Sequence, residues 1–264
     1  MEANQTAGAL NVAVTAALEA GKVIAQNIGN LDRIKVNRKS AHEWVSEVDV
    51  RAEQTIIAIL DEAFPTYNII SEEQGETDRQ HDLTWIIDPM DGTHNFLHGH
   101  PHCAVSIALV KGNTVLAGVV YDAIRNELFS ARKGAGAQLD GRRIRVSEVS
   151  RLSDSLLCTG FARGEGRDTK AWLRSFATLM PRAQSVHRTG SSVLDLAYTA
   201  AGRYDGIWEY GLKSWDIAAG AILVQEAGGM IADMSGNDNL FHSGNIVAAN
   251  PKVFEKMSHI LNTI

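Results

Sequence analysis

Apolar positions recur at helical spacing over the Ala-rich stretch from about Thr6 to Ile28, at Leu10, Val14, Ala17, Val23 and Ile24, and predict a first helix. A second helix is predicted from Ser46, a suitable N-cap, with Asp49 in its first turn and Ile56, Ile57 and Leu60 beyond. Asn68-Ile69-Ile70 reads as a short strand that delivers Glu72 and Glu73 at its end. Leu83 to Ile87 reads as a second apolar strand. Strand-like runs follow at Cys103 to Val110, Val115 to Tyr121, Glu127 to Ala131 and Ala137 to Leu139. Lys111-Gly112-Asn113 and Lys133-Gly134-Ala135-Gly136 separate them as turns, so an antiparallel meander is expected.

After about residue 150 the pattern changes to strand and helix in alternation. Helices are predicted at Lys170 to Met180, Ser192 to Ala201, Trp215 to Ala227 and Pro251 to Leu261, with strands near Leu156, Val186, Ile207, Met230 and Ile246. The first part thus reads as α+β and the second as α/β. A boundary near Ser147 to Ser153 divides the chain into residues 1–148 and 149–264.

Composition narrows the function classes. The 264 residues suffice for a sizeable core, and 45% hydrophobic with 21% charged residues is a globular balance. The net charge of −6 argues against broad binding to nucleic acid or anionic membranes, so an anionic substrate would need local help from metal ions or backbone dipoles. Cys103 and Cys158 are expected to be reduced, buried thiols. The residues after Met1 show no basic region ahead of an apolar run, so no secretory signal and a cytoplasmic location are expected. No apolar stretch is expected to reach the length of a membrane span.

The chemistry concentrates in Trp85-Ile86-Ile87-Asp88-Pro89-Met90-Asp91-Gly92-Thr93. Two carboxylates three residues apart are expected just beyond a strand end, where sites on α/β sheets tend to lie. Pro89 restricts the step between them and Gly92 permits close backbone approach. A helix opening at Thr93 would turn free N–H groups to the same spot, suited to a phosphate oxygen. Oxygen-only ligands favour Mg²⁺ or Mn²⁺ over zinc. Taken alone, a turn carrying two solvated aspartates is an even alternative. Glu72 at another strand end, Glu209 after Gly206-Ile207-Trp208, and Asp216 at a helix start shift the balance. Carboxylates from separate elements are the pattern of a two-metal site.

Two longer stretches carry a family resemblance. Trp85 to His98 resembles the first signature of the inositol monophosphatase family, and Trp215 to Gly229 resembles the second. Ser71-Glu72-Glu73-Gln74-Gly75, Arg188 to Ser192 and Gly244-Asn245 fit in the family's order, and the similarity runs from about Leu10 to Ile260. The resemblance implies a five-layer αβαβα sandwich of the inositol monophosphatase and fructose-1,6-bisphosphatase type, a homodimer and inhibition by Li⁺. It implies Mg²⁺-dependent hydrolysis of a small phosphate monoester, myo-inositol 1-phosphate first, by in-line attack of a metal-activated water. Glu72, Asp88 and the Met90 carbonyl would bind one ion, Asp88, Asp91 and Asp216 a second, and Glu72 with waters a third. Gly92 and Thr93 would hold phosphate, and Glu72 with Thr93 would orient or deprotonate the water. Ser192, Glu209, Asp91 and Asp216 would meet the hydroxyls of the departing alcohol. Asp49 and Glu73 would support these ligands from behind.

Other outcomes stay open. A sibling phosphatase would take fructose 1,6-bisphosphate, histidinol phosphate or 3′-phosphoadenosine 5′-phosphate, and a non-catalytic role with a transcription factor is a further alternative. Position 94 is His where the family usually has Thr. His98, His100 and His102 alternate, but a loop into the Cys103 strand explains them better than zinc. Gly134-Ala135-Gly136 is read as a strand turn, Gly160 to Gly166 as a loop bordering the site, and Trp172, Leu173 and Phe176 as helix core. Arg38-Lys39 are read as solvated charges.

Overall fold

The computed structural model describes residues 2–38, 44–161, 169–237 and 239–263. The first part contains helices α1 (Glu2–Asn27) and α2 (Glu47–Ala63), separated by a short ladder of β1 (Val36–Arg38) with β2 (Trp44–Ser46). Then come β3 (Asn68–Ser71), β4 (Gly75–Thr77), β5 (Leu83–Asp91) and α3 (Thr93–Leu97). The predicted meander follows as β6 (Ala104–Lys111), β7 (Thr114–Asp122), β8 (Glu127–Arg132), β9 (Gly136–Leu139) and β10 (Arg142–Arg143). The second part runs β11 (Leu156–Phe161), α4 (Thr169–Leu179), β12 (Ser185–His187), α5 (Ser192–Ala200), β13 (Gly206–Tyr210) and α6 (Ser214–Glu226). It closes with β14 (Met230–Asp233), α7 (Leu240–Ser243), β15 (Ile246–Ala249) and α8 (Pro251–Leu261).

Two sheets result. The larger has the order β10-β9-β8-β7-β6-β5-β3-β4 and is antiparallel except where β3 runs parallel to β5. The smaller has the order β12-β11-β13-β15-β14, with β11 parallel to both its neighbours and β15 antiparallel to both of its own. The small sheet is thus mixed, parallel at β11 and antiparallel at β15.

The layering follows from which helix faces are apolar. In α6 every residue from Ile217 to Val224 is buried, and in α5 every residue from Val193 to Ala200. Helices buried over such lengths must be covered on all sides, and both lie between the two sheets, in one cluster with Ile86, Val120 and Phe129 of the large sheet and Ile207, Ile246 and Ala248 of the small one. One-sided helices close the outside. α1 and α2 cover the large sheet with Ala13, Ala17, Ile24, Ala52 and Ile56 against Ile87, Val105 and Val119. α4 and α8 cover the small sheet with Leu179, Val253 and Met257 against Trp208 and Val247. The order is helix, sheet, helix, sheet, helix, the expected five-layer sandwich.

Three expectations need correction. Gln5 to Asn27 of α1 is long and apolar enough to cross a membrane by length and composition. Its small residues instead form a seam, Ala9, Ala13, Ala16, Ala17 and Ala20, buried against α2 and the large sheet, which is the behaviour of a core helix. Leu173 belongs to no core: it is 53% exposed, while Trp172 is half-buried, stacks on Phe176 and donates to Thr159 Oγ1 at 3.0 Å. Finally, β5 does not stop at Ile87 but continues to Asp91. The ladders β1–β2 and β10 were not foreseen, because each of these strands has only two or three residues, too few to show an alternation. Cys103 and Cys158 are free and buried, as expected.

Candidate active site

A bulge in β5 sets the site. Asp88 opposes Ser106 and Asp91 opposes Ala104, so β5 holds one more residue than β6 across that step. Bulges bend a strand and re-aim its side chains. Pro89 sits inside this one, where its missing N–H leaves no ladder bond broken. The Met90 N–H donates to Asp88 Oδ1 at 2.9 Å and fixes that carboxylate. At the strand's end Gly92 turns the chain with φ +94, and a Cβ there would lie 2.8 Å from the His102 carbonyl oxygen. Only glycine meets both conditions. α3 then starts at Thr93.

The other arms come from distant segments. Asp216 lies in the first turn of α6 and accepts from the Lys213 N–H at 2.7 Å. The loop ahead of it is braced by Gly244-Asn245, whose carbonyl and amide oxygens accept from the N–H groups of Leu212 and Gly211 at 2.8 and 2.9 Å. One oxygen each of Asp88, Asp91 and Asp216 lie within 4.8 Å of one another, the carboxylate cluster found among the described residues. Glu72 is not in that set, but its charge acts on Asp88. It lies directly after β3, in the three-residue turn of the β3–β4 hairpin, at the strand end where it was expected.

Around the cluster, side chains from several elements are tied together by hydrogen bonds. Asp91 Oδ2 accepts from Ser191 Oγ at 2.6 Å and from the Val193 N–H at 2.8 Å, at the start of α5. Thr93 Oγ1 donates to Asp49 Oδ1 at 2.8 Å and lies 3.1 Å from the Met90 carbonyl. Asp49 has a double duty: its Oδ2 accepts from the N–H and hydroxyl of Ser46 as the partner in the capping box of α2. Glu209 accepts from Ser192 Oγ at 2.7 Å, and a Cβ at position 160 would lie 2.5 Å from the Glu209 carboxylate, so Gly160 makes its room.

Electrostatics separates these carboxylates from surface ones. Burial first, then the charges of Glu72, Asp91 and Asp216, push Asp88 well above the usual carboxylate range. Burial raises Asp91 against the opposing bonds from Ser191 and Val193. Burial and the charge of Asp195 push Glu209 well up, and burial lifts Asp195 itself to about 7. Burial also raises Asp49, against its bonds to Ser46 and Thr93. At 4.8 Å two carboxylates repel by about 3.5 kcal/mol at an effective dielectric of about 20. Such a set ionises fully only when a cation offsets it.

The expected residues thus fall into two groups around one site. Asp88, Asp91 and Asp216 form the cluster, with Gly92, Thr93 and Met90 on its β5–α3 side; Ser192 and Glu209 pair with each other on α5 and β13. The sequence reading did not assign Ser191, Glu53 or Asp195. Ser191 was legible as an N-cap; Glu53 follows Asp49 by four residues, on one helix face. His94 is exposed with its ring against His98 at 5.8 Å. His98 to Cys103 is a loop, as expected, with His102 buried and pushed down to about 4 by burial. Gly134 and Gly136 form the expected strand turn, their N–H groups donating to Glu226. Lys39 and residues 162–168 of the loop after Gly160 lie outside the described residues.

A layered sandwich with acidic residues gathered at a strand bulge and a helix start defines a class of phosphatase folds. The chain belongs to the inositol monophosphatase family, whose model matches residues 7–263. It is 47% identical over 253 residues to the Nus factor SuhB of Pseudomonas aeruginosa, covering 94% of this chain and 93% of that one. Among solved structures it is similar to the extragenic suppressor protein suhB of Bartonella henselae, at 39% identity and TM-score 0.92, covering 96% and 98% of the two chains. It is also similar to the inositol monophosphatase of Anabaena (Nostoc) sp. PCC 7120, at 35% identity and TM-score 0.84, covering 97% and 95%.

Proposed function

We propose that the chain is a Mg²⁺-dependent phosphomonoesterase that hydrolyses a small phosphorylated polyol, myo-inositol 1-phosphate first, by direct in-line attack of water. The observation that carries this reading is the convergence of Asp88, Asp91 and Asp216 within 4.8 Å beside the Thr93–Asp49 pair. An all-oxygen, anionic donor set suits a hard divalent ion. Glu72, Asp88, the Met90 carbonyl, Asp91 and Asp216 would hold two ions, with a third at Glu72; Mn²⁺ fits the same donors. When bound, the ions supply Lewis acidity, lowering the pKa of a water and offsetting phosphoryl charge.

The chain's own groups do the rest. Thr93 gives its proton to Asp49, which leaves its lone pairs to accept from the attacking water. With Glu72 it orients that water and opens a route for the departing proton. The N–H groups of Gly92 and Thr93 hold a phosphoryl oxygen as charge develops on it. Glu209, fixed by Ser192, meets the polyol hydroxyls with Asp91 and Asp216. No covalent enzyme intermediate is required. The same reading carries a homodimer, a cytoplasmic location and inhibition by Li⁺.

The test is phosphate release from a panel of myo-inositol 1-phosphate, fructose 1,6-bisphosphate, histidinol phosphate and 3′-phosphoadenosine 5′-phosphate, with Mg²⁺ and with or without Li⁺. Turnover of none would overturn the enzyme reading. Preference for a bisphosphate or nucleotide would replace the lead substrate, and an Asp91→Asn protein with unchanged turnover would remove the site assignment.

A second role rests on the name of the SuhB relatives, Nus factor. It would be non-catalytic, with a transcription-factor partner, and would survive Asp91→Asn. Equal capture of transcription elongation proteins by wild type and by that variant supports it; no capture by either refutes it.

A further inference from the structure

α2 reaches the site twice. Asp49 on its first turn holds Thr93, and Glu53, one turn further along the same face, is 0% exposed. Glu53 Oε1 accepts from the backbone N–H of Glu73 at 2.9 Å and of Gln74 at 3.4 Å. Those two amides follow Glu72 directly in the turn between β3 and β4. On its other side the Glu72 N–H donates to the Ile87 carbonyl at 3.2 Å, one residue before Asp88. The backbone of Glu72 is therefore pinned between β5 and a buried carboxylate. Three-residue turns with exposed tips fray readily, and Gln74 and Gly75 are exposed. A buried carboxylate is a costly way to hold a turn unless the turn must be held. The other oxygen, Oε2, has no partner from the protein although it is buried. A carboxylate kept at that cost in the core needs a reason beyond packing.

We infer that Glu53 is a positioning residue: it clamps the β3–β4 turn so that Glu72 is held in register with Asp88, and one helix thereby aligns both groups assigned to the attacking water, Thr93 through Asp49 and Glu72 through Glu53. This rests on the divalent-ion reading of Glu72. Nothing about the clamp itself requires an ion, so it is read first in protein stripped by a chelator.

Amide hydrogen exchange at Glu73 and Gln74 measures the clamp directly, in wild type, Glu53→Gln, Glu53→Asp and Glu53→Ala. Gln keeps an oxygen acceptor at the same reach, Asp keeps the charge on a shorter arm, and Ala removes the group. Protection is expected in wild type and Glu53→Gln and lost by about tenfold or more in Glu53→Asp and Glu53→Ala. Should the Ala protein not fold by circular dichroism, Asp against Gln carries the same contrast. Mn²⁺ binding by calorimetry is the second readout. Groups that orient a metal ligand from behind are worth about 10- to 100-fold in affinity, so Glu53→Asp is expected to weaken binding by that much and Glu53→Gln to hold close to wild type. Unchanged protection in the Asp and Ala proteins overturns the clamp. Lost protection with Mn²⁺ affinity within about twofold of wild type overturns the positioning of Glu72. Wild type that binds no Mn²⁺ overturns the metal reading instead, while the exchange result still decides the clamp.

Discussion

Stripping divalent ions from this protein should make its stability fall as pH rises, and restoring them should flatten or reverse that slope. Asp88 and Asp91 are raised in the folded state, first by burial. An acid with a raised folded pKa binds its proton more tightly when folded. Its contribution is fully present below the unfolded value near 3.8 and is lost as pH climbs through the folded value. The three charges of the cluster, at about 3.5 kcal/mol a pair, would repel by roughly 10 kcal/mol if all ionised unopposed. That is comparable to the whole stability of a domain, about 5–15 kcal/mol, so without a cation the cluster must keep protons or loosen. Mg²⁺ competes with those protons. At a concentration about a hundred times its Kd it should add about 2.7 kcal/mol, or about 5–10 °C in Tm for a chain of this size. The assay is thermal unfolding from about pH 5 to about pH 8, with chelator or with saturating Mg²⁺. The gap between the two curves should widen with pH. Asp88→Asn should raise the stability of the stripped protein at the alkaline end and abolish most of the Mg²⁺ increment. A gap independent of pH, or an Asp88→Asn protein that keeps both slope and gap, refutes the reasoning.

The other predictions concern single residues. Gly92→Ala places a Cβ 2.8 Å from a carbonyl at φ +94, so it should cost about 2–4 kcal/mol of stability in denaturant unfolding and remove activity; wild-type stability would mean the turn is not held as described. Thr93→Ala should lower kcat by ~10²–10⁴-fold with Mg²⁺ binding little changed, and Thr93→Ser should recover much of the loss. Gly160→Ala crowds the Glu209 carboxylate at 2.5 Å, so KM for the polyol phosphate should rise about tenfold or more while calorimetric Mg²⁺ binding stays the same; a selective loss of metal binding would contradict the role given to Glu209.

How much of this was legible in the sequence depends on the range of the interaction involved. Elements with strong local signals read correctly: the N-cap at Ser46 with Asp49 in the first turn, the Gly-containing turn between β6 and β7, and α5, α6 and α8 within a residue or two of their observed ends. The turn signal at Gly134 is likewise local. The course of β5 beyond Ile87 was not legible, because a bulge is defined by what the neighbouring strand does, and Ser106 and Ala104 lie more than ten residues further on. The apolar content of α1 is ambiguous for the same reason: composition cannot say whether an alanine seam faces lipid or a sheet.

By itself, then, the sequence determined the residue types of the site. Asp88, Asp91 and Asp216 offer oxygen ligands, and Gly92 and Thr93 backbone N–H groups, which follows from their residue types and from the spacing of Pro89 and Gly92. The sequence also determined that α6 is apolar from Ile217 to Val224, a run that must be covered on all sides. Tertiary structure alone decided which carboxylates share a site. Asp91 meets Ser191 across 100 positions, Thr93 meets Asp49 across 44, and Glu53 meets Glu73 across 20. Such long-range contacts set the burial and the mutual repulsion that hold Asp88 above the usual carboxylate range, and both are properties of distance in space, which no single stretch of chain contains.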